Sequence, residues 1–309
     1  MKKQILLFIL AFSFILVNAN NIQVNNVALV DQDVSAGAND PANFKRIRFD
    51  VRWDNSWRTS TYESNYDGAW VFAKWRKNDQ QTWNHASINY VNGTAAGDGH
   101  QQPVASTIVG APDGRGIFIH RDANGFGNVN YEDVRIRWNY GADGLADYDS
   151  VEICVFAIEM VYIPEASFYV GSTGTETGSF TDGSWVAGNT IRLEITSEAA
   201  LNVNTNPGEL WATANIEGAG IALNANFPKG YQAFWIMKYE ITQQQYVDFL
   251  NKLTREQQRY RVATIINTTG AIANQFVMSN NAGVVNRNGI RFRATDLVGF
   301  KMIPVCRIM

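Results

Sequence analysis

The residues best suited to metal binding or nucleophilic chemistry are three histidines, His85, His100 and His120, and two cysteines, Cys154 and Cys306. The histidines never fall at a ligand spacing such as HxxxH, and two cysteines are too few for a four-cysteine zinc site or an iron–sulfur cluster. No GxSxG, HExxH or P-loop occurs. Gly125-Phe126-Gly127 begins like a dinucleotide fingerprint, but Asn130 stands where the third glycine belongs. His120 ends an apolar run and reads as a satisfied strand histidine. His85 and His100 stand in polar stretches and read as solvent-facing. Cys154 shares a strand face with Glu152 and Phe156. An exported chain could pair it with Cys306, although free thiols are the favoured reading.

Two further patterns bear on ligands. Asp122, Asn124, Gly127 and Asp133 fall at positions 1, 3, 6 and 12 of a calcium loop. Phe126 occupies the fifth position, where an oxygen ligand belongs, and no helices flank the segment. A hairpin turn is therefore favoured over a metal site. Six tryptophans, at 53, 57, 70, 75, 83 and 138, lie in the first half. Trp53 and Trp138 sit on apolar strand faces and read as core. Trp57 and Trp83 lie near turns and are the candidates for contacting a ligand such as a sugar ring.

These residues need a scaffold, and composition bounds it. The 309 residues are 46% hydrophobic and 18% charged, enough apolar material for a packed core and about two domains at roughly 150 residues each. A net charge of −3 without a basic block argues against a nucleic-acid partner. Lys2 and Lys3 precede an apolar run from Ile5 to Val17, and Val17-Asn18-Ala19 offers a cleavage site after Ala19. Residues 1–19 read as a secretory signal peptide, too short for a comfortable membrane span. The expected mature protein is exported: periplasmic, cell-surface or secreted.

Residues 20–157 read as strands. Ile47, Phe49, Val51 and Trp53 alternate with Arg46, Arg48, Asp50 and Arg52, and Val134, Ile136 and Trp138 alternate with Arg135, Arg137 and Asn139. A period of two with one apolar face is a half-buried strand. Ala69 to Trp75 suits a central strand, and Gly116 to His120 and Val151 to Phe156 are further strands. Turn signals such as Asn92-Gly93, Asp113-Gly114 and Asp143-Gly144 punctuate them. The pattern predicts a β-sandwich domain. Residues 158–309 are α+β in texture. Met160 to Val170 is a strand interrupted at Pro164, and Phe234 to Tyr239 is a short strand. Thr242 caps a helix whose apolar stripe is Tyr246, Phe249, Leu250 and Leu253. Thr254 with Gln257 forms a capping box for a second short helix.

Met160-Val161-Tyr162-Ile163-Pro164, followed by Phe168-Tyr169-Val170-Gly171-Ser172, resembles the opening of the formylglycine-generating (sulfatase-modifying factor) domain. Ala166 stands at that family's usual glycine and Val170 at its usual methionine. Phe234-Trp235-Ile236-Met237-Lys238-Tyr239-Glu240-Ile241-Thr242, with Gln245-Tyr246 and Phe249-Leu250-Asn251, resembles a second family segment. The resemblance covers about 159–289 and is lost after about 291. It implies a mixed fold related to C-type lectins, and in complete members a copper-dependent oxidase with calcium sites, acting on a cysteine of a sulfatase client. Copper there is held by a C-terminal cysteine pair, and Cys306 has no partner at that spacing. The expectation is a partial domain with no catalytic residue and no cofactor in this chain. Met160, Pro164, Phe168, Gly171, Lys238, Tyr239, Glu240, Thr242, Tyr246 and Phe249 read as structural markers of the motif, with Glu240 near backbone N–H groups it could satisfy. The alternative function is a carbohydrate- or protein-binding surface module.

Overall fold

A computed structural model describes residues 21–80, 82–174, 176–186, 189–212, 220–263, 277–278, 289–293 and 301–304. The expected signal peptide and Cys306 lie outside them. The chain is mainly β, 44% strand and 5% helix, built around a curled antiparallel sheet. Among the described residues no helix is long and apolar enough to cross a membrane.

The sheet has two limbs. Strands β1 (Gln23–Asp33), β2 (Phe44–Arg58) and β7 (Gly125–Trp138) form one, with β2 in the middle. In the other, β3 (Tyr66–Lys77) lies between β8 (Val151–Ile163) and β6 (Ile117–Arg121). β5 (Ser106–Gly110) sits outside β6, and β4 (Asn84–His85) extends the β6 side. One pair at the turn of the β2–β3 hairpin, Arg58 opposite Tyr66, joins the limbs within the sheet. The strand Phe234–Met237 adds to the far edge of β8.

The alternation read from the sequence determines which faces meet. Ile47, Phe49, Val51 and Trp53 of β2 and Val134, Ile136 and Trp138 of β7 are buried, as are Ala69, Val71, Ala73 and Trp75 of β3 and Ile117 and Ile119 of β6. These side chains form one cluster between the limbs. The opposite faces of β2 and β7 carry arginines. Arg46 pairs with Arg137 and Arg48 with Arg135 across the strands, an arrangement that repels unless neutralised. Asp31 supplies part of the neutralisation, 3.5 Å from Arg46 and 3.1 Å from Arg135. The β2–β7 register shifts opposite Asp133, whose φ is +57°. This bulge twists the strands and re-aims the residues beside it.

β8 runs without interruption through the expected boundary at 157/158, in register with β3 from Lys77↔Val151 to Tyr66↔Tyr162. Pro164 ends it, because proline cannot donate to the ladder, and β9 (Phe168–Val170) begins after the break. Helix α1 (Gln243–Leu250) starts at Thr242 and α2 (Arg255–Arg259) at Thr254. Thr242 is the N-cap expected of it and Thr254 carries the expected capping box; the structure shows that Thr242, with Gln245, forms a complete box as well. The buried stripe of α1 differs from the expected one. Val247 and Leu250 are buried, while Phe249 is 38% exposed, so Phe249 does not anchor the inner face.

Replacing Phe49 by Ala should cost about 3–5 kcal/mol of unfolding free energy, whereas Arg52→Ala should stay within about 0.5 kcal/mol. Urea titrations of both variants check this.

Candidate functional site

The two sequence blocks that carry the family resemblance meet as neighbouring strands. Met160↔Met237, Val161↔Ile236, Tyr162↔Trp235 and Ile163↔Phe234 are register partners, and the Lys238 N–H donates to the Glu159 carbonyl at 2.9 Å. Alternation turns Trp235 and Met237 outward with Tyr162 and Met160, and turns Lys238 inward with Glu159.

Lys238 enters the molecule and is 7% exposed. Its Nζ lies 2.9 Å from Asp67 Oδ2, 3.2 Å from Glu159 Oε2 and 3.1 Å from the Asn55 carbonyl. Asp67 is wholly buried and fully engaged. Oδ1 accepts from Ser56 Oγ at 2.7 Å and the Trp57 N–H at 3.0 Å, and Oδ2 accepts from Trp53 Nε1 at 2.9 Å. Glu159 is held more loosely: it faces the Lys238 ammonium and the Asn21 N–H, neither in a well-aligned hydrogen bond. Burial raises its pKa, against the pull of Lys238. Burial works against the Lys238 ammonium too, but the hydrogen bond and charge of Asp67 and the charge of Glu159 prevail and raise its pKa. The arrangement is a buried ammonium shared by two carboxyl groups, with the rings of Trp57 and Tyr239 5.0 and 5.3 Å from Nζ.

The outer face of the same strands is aromatic. Trp235 stacks on Phe118 at 4.4 Å, Trp70 tilts against Phe118 at 4.7 Å, and Tyr66 stacks on Tyr162 at 4.7 Å and meets Trp235 edge-on at 5.6 Å. Further along β3, Phe72 stacks on Phe156 at 5.0 Å. All seven rings are half-buried. Glycine makes room for them. A Cβ on Gly68 would come within 3.3 Å of the Trp235 ring, and one on Gly116 within 2.9 Å of Trp70.

The other residues singled out in the sequence scatter. Trp57 donates its indole N–H to Asn65 at 2.9 Å, and Trp83 is held by Arg76 at 4.8 Å and Lys252 at 3.9 Å. Trp57 bonds Asp67 at one end of β3 and Trp83 packs on Arg76 at the other, roughly 30 Å apart along an extended strand. They do not form one platform. Asp122 and Asn124 belong to the β6–β7 turn, where Asn124 donates to Ser60 at 2.6 Å. Asp133 lies nine residues further along β7 than Asn124, in the bulge, bound by Arg135 through two 2.9 Å hydrogen bonds. The three therefore do not converge as a calcium loop, and no cluster of three metal-ligating side chains occurs among the described residues. Cys154 faces outward opposite Lys74 and has no disulfide partner among the described residues. Gly171 is required by its backbone: φ is +112° and a Cβ would meet the Phe180 carbonyl at 2.1 Å. Glu240 is exposed. The helix start it was expected to serve is satisfied by the reciprocal Thr242–Gln245 bonds.

The histidines are not solvent-facing. His85 bonds the Arg115 carbonyl at 2.6 Å and stacks on Phe72. His120 is buried between Tyr66 and Arg58. His100 is buried beside Asp98, with Nε2 4.0 Å from Oδ2. The Arg137 N–H donates to its Nδ1 at 3.0 Å. Nδ1 is thereby an acceptor, the proton sits on Nε2, and the ring is neutral. Asp98 Oδ1 takes three backbone N–H groups, from Val91, Asn92 and Gly93, which fixes this loop. The His100 ring forms part of the wall of a pocket of about 430 Å³ together with Ala95, Thr107 and Ile108. Burial, only partly offset by Asp98, lowers the His100 pKa to about 4.

Comparison with protein-family models, with curated proteins and with solved structures finds no match for this chain.

Asp67, Glu159 and the Asp98–His100 pair were not singled out from the sequence. Glu159 had a legible signal: a charge at an inward position of the otherwise apolar run Ile153–Ile163. His100 was named among the histidines but read as solvent-facing, and Asp98, in the same loop without periodicity, had no signal.

Removing the ammonium alone leaves two buried carboxyl groups uncompensated. Lys238→Met should cost about 3–5 kcal/mol in denaturant titrations. For His100 the unfolded ring takes up a proton near pH 6.5, while the native ring resists until about 4. Stability is therefore retained above pH 6.5 and lost as pH falls toward 4, by about 3 kcal/mol from this residue. His100→Asn, whose Oδ1 can still accept from Arg137, should flatten the profile by that amount when unfolding is followed at pH 7, 5.5 and 4.

Proposed function

We propose that this chain is an exported, non-catalytic binding protein: a β-sandwich carrying the opening strands of a domain of the formylglycine-generating type, with carbohydrate as its ligand. The observation that carries the reading is the outward aromatic strip Trp70, Phe118, Trp235, Tyr66 and Tyr162, assembled from both halves of the chain. From Tyr66 to Phe72 it follows β3 for roughly 20 Å, long enough for linked sugar rings. Aromatic faces offer large, rigid apolar area with little entropy to lose on binding. The strip replaces Trp57 and Trp83 as the expected contact surface, because both of those rings are engaged by cations and asparagine within the protein.

An oxidase reading has less support. The motif blocks that meet in space, Met160–Ile163 and Phe234–Met237, pair as strands and pack the fold. A sulfatase-type client remains the partner this reading would require.

Glycan-array screening of the full chain should give binding to oligosaccharides, and Trp70→Ala should weaken it at least ten-fold, about 1.4 kcal/mol or more. Trp83→Ala should leave it unchanged. Oxygen uptake with added copper and a cysteine-containing sulfatase peptide should be absent. Binding insensitive to Trp70, or copper-dependent uptake, would sink the reading.

A further inference from the structure

The buried centre around Lys238 holds more than an ion pair needs: one primary amine, two carboxyl groups of different environment, and fixed donors on one of them. We propose that Lys238 Nζ and Asp67 Cγ condense to an intramolecular isopeptide bond, with Glu159 as the acid–base catalyst. The inference does not depend on the carbohydrate reading.

The geometry supplies each part of the reaction. Nζ is 2.9 Å from Asp67 Oδ2, which holds the amine against the carboxyl group whose carbon it must attack. Ser56 Oγ and the Trp57 N–H point at Oδ1 from 2.7 and 3.0 Å, where negative charge develops in a tetrahedral intermediate. Trp53 Nε1 bonds Oδ2, the oxygen that must leave. Glu159 Oε2 lies 3.2 Å from Nζ, within reach of its protons. The Asn55 carbonyl, 3.1 Å away, accepts a further N–H and orients the amine. The three side chains are 0–7% exposed, so bulk water is kept from the intermediate and both charges are costly to retain.

The step balances without an oxidant or co-reactant. Glu159 takes one proton from the ammonium and passes it to Asp67 Oδ2, leaving a neutral amine and a neutral carboxyl. Nζ attacks Cγ, forming the C–N bond, and Oδ1 carries the charge. Glu159 then takes a second proton from the bonded nitrogen and gives it to the Oδ2 hydroxyl. The C–O bond breaks and one water leaves. Neutralising the pair also removes the energetic problem of a buried ammonium and carboxylate.

Intact-mass measurement of the denatured full chain tests this, followed by tryptic mapping. The expected result is a chain lighter than its sequence by one water. The tryptic cut after Lys238 should be lost, and a branched peptide should join residues 59–74 to 230–252. Lys238→Arg keeps a buried cation that cannot acylate in this way, and it should fold by near-UV circular dichroism at the full sequence mass. Glu159→Gln should abolish the link while retaining the same spectrum. Linear peptides alone from the wild type overturn the proposal, as does Lys238 joined to the 138–192 peptide that carries Glu159. An undiminished link in folded Glu159→Gln removes the catalytic role assigned to that residue.

Discussion

The contact on which the rest of the molecule depends is Lys238 with Asp67. Asp67 sits on the inward face of β3, among residues with almost no access to water. A carboxylate there is tolerable only because four donors converge on it: the Trp53 indole, the Ser56 hydroxyl, the Trp57 N–H and the Lys238 ammonium. Three of the four come from the end of β2, so Asp67 fixes the β2–β3 corner where the two limbs join. The fourth arrives from a residue 171 positions later. The corner is therefore complete only when the Phe234–Met237 strand is in place. A hydrophobic core would tolerate many arrangements of that strand, but a buried charge tolerates few.

The same strand carries the opposite chemistry on its other side. Trp235, one pleat removed from Ile236 and two from Met237, lies flat on Phe118 over Gly68. A Cβ at position 68 would meet the Ile119 carbonyl at 2.8 Å and press on the indole at 3.3 Å. Polar specificity inside and aromatic area outside thus come from residues three apart, Trp235 within the strand and Lys238 just past its end, set on opposite faces by the period of two. This explains why one short segment both anchors the second half of the chain and completes the outer face. It also makes β8 a shared element: its N-terminal part pairs with β3 alone, and its C-terminal part with β3 on one side and Phe234–Met237 on the other.

The strands were legible because each inward residue repeats every two positions, as in β2 and β7, and the helices because Thr242 precedes an apolar stripe and Thr254 stands three residues before Gln257. These are local signals. The site was not local. Asp67 looks like a turn residue beside Gly68, and only the β3 register shows it to be inward. His100 looks exposed because its neighbours are polar, yet Asp98 folds the 91–93 backbone over it. Asp122 and Asp133 matched a calcium spacing that presumes a compact loop, but the chain between them is extended. Trp57 and Trp83 read as free because they lie near turns, and Lys238 and Lys252, which reach them, are distant in sequence. Spacing predicts convergence only where the backbone between the residues curls, and here it does not.

The unequal treatment of the two carboxyl groups is the more informative part of the centre. Asp67 takes three neutral donors besides the ammonium, whereas Glu159 faces the same ammonium at 3.2 Å, more loosely held and with its pKa raised by burial. If charge balance were the only requirement, one carboxylate would match one ammonium, and the second would add desolvation cost with little return. A glutamate kept inside the apolar half of β8, within 3.2 Å of Nζ, is instead placed as a group that exchanges protons. Two titratable groups whose surroundings push them apart are the usual basis for dividing acid and base roles. The inward charge at position 159 is therefore better understood as a reactive element than as a second half of a salt bridge.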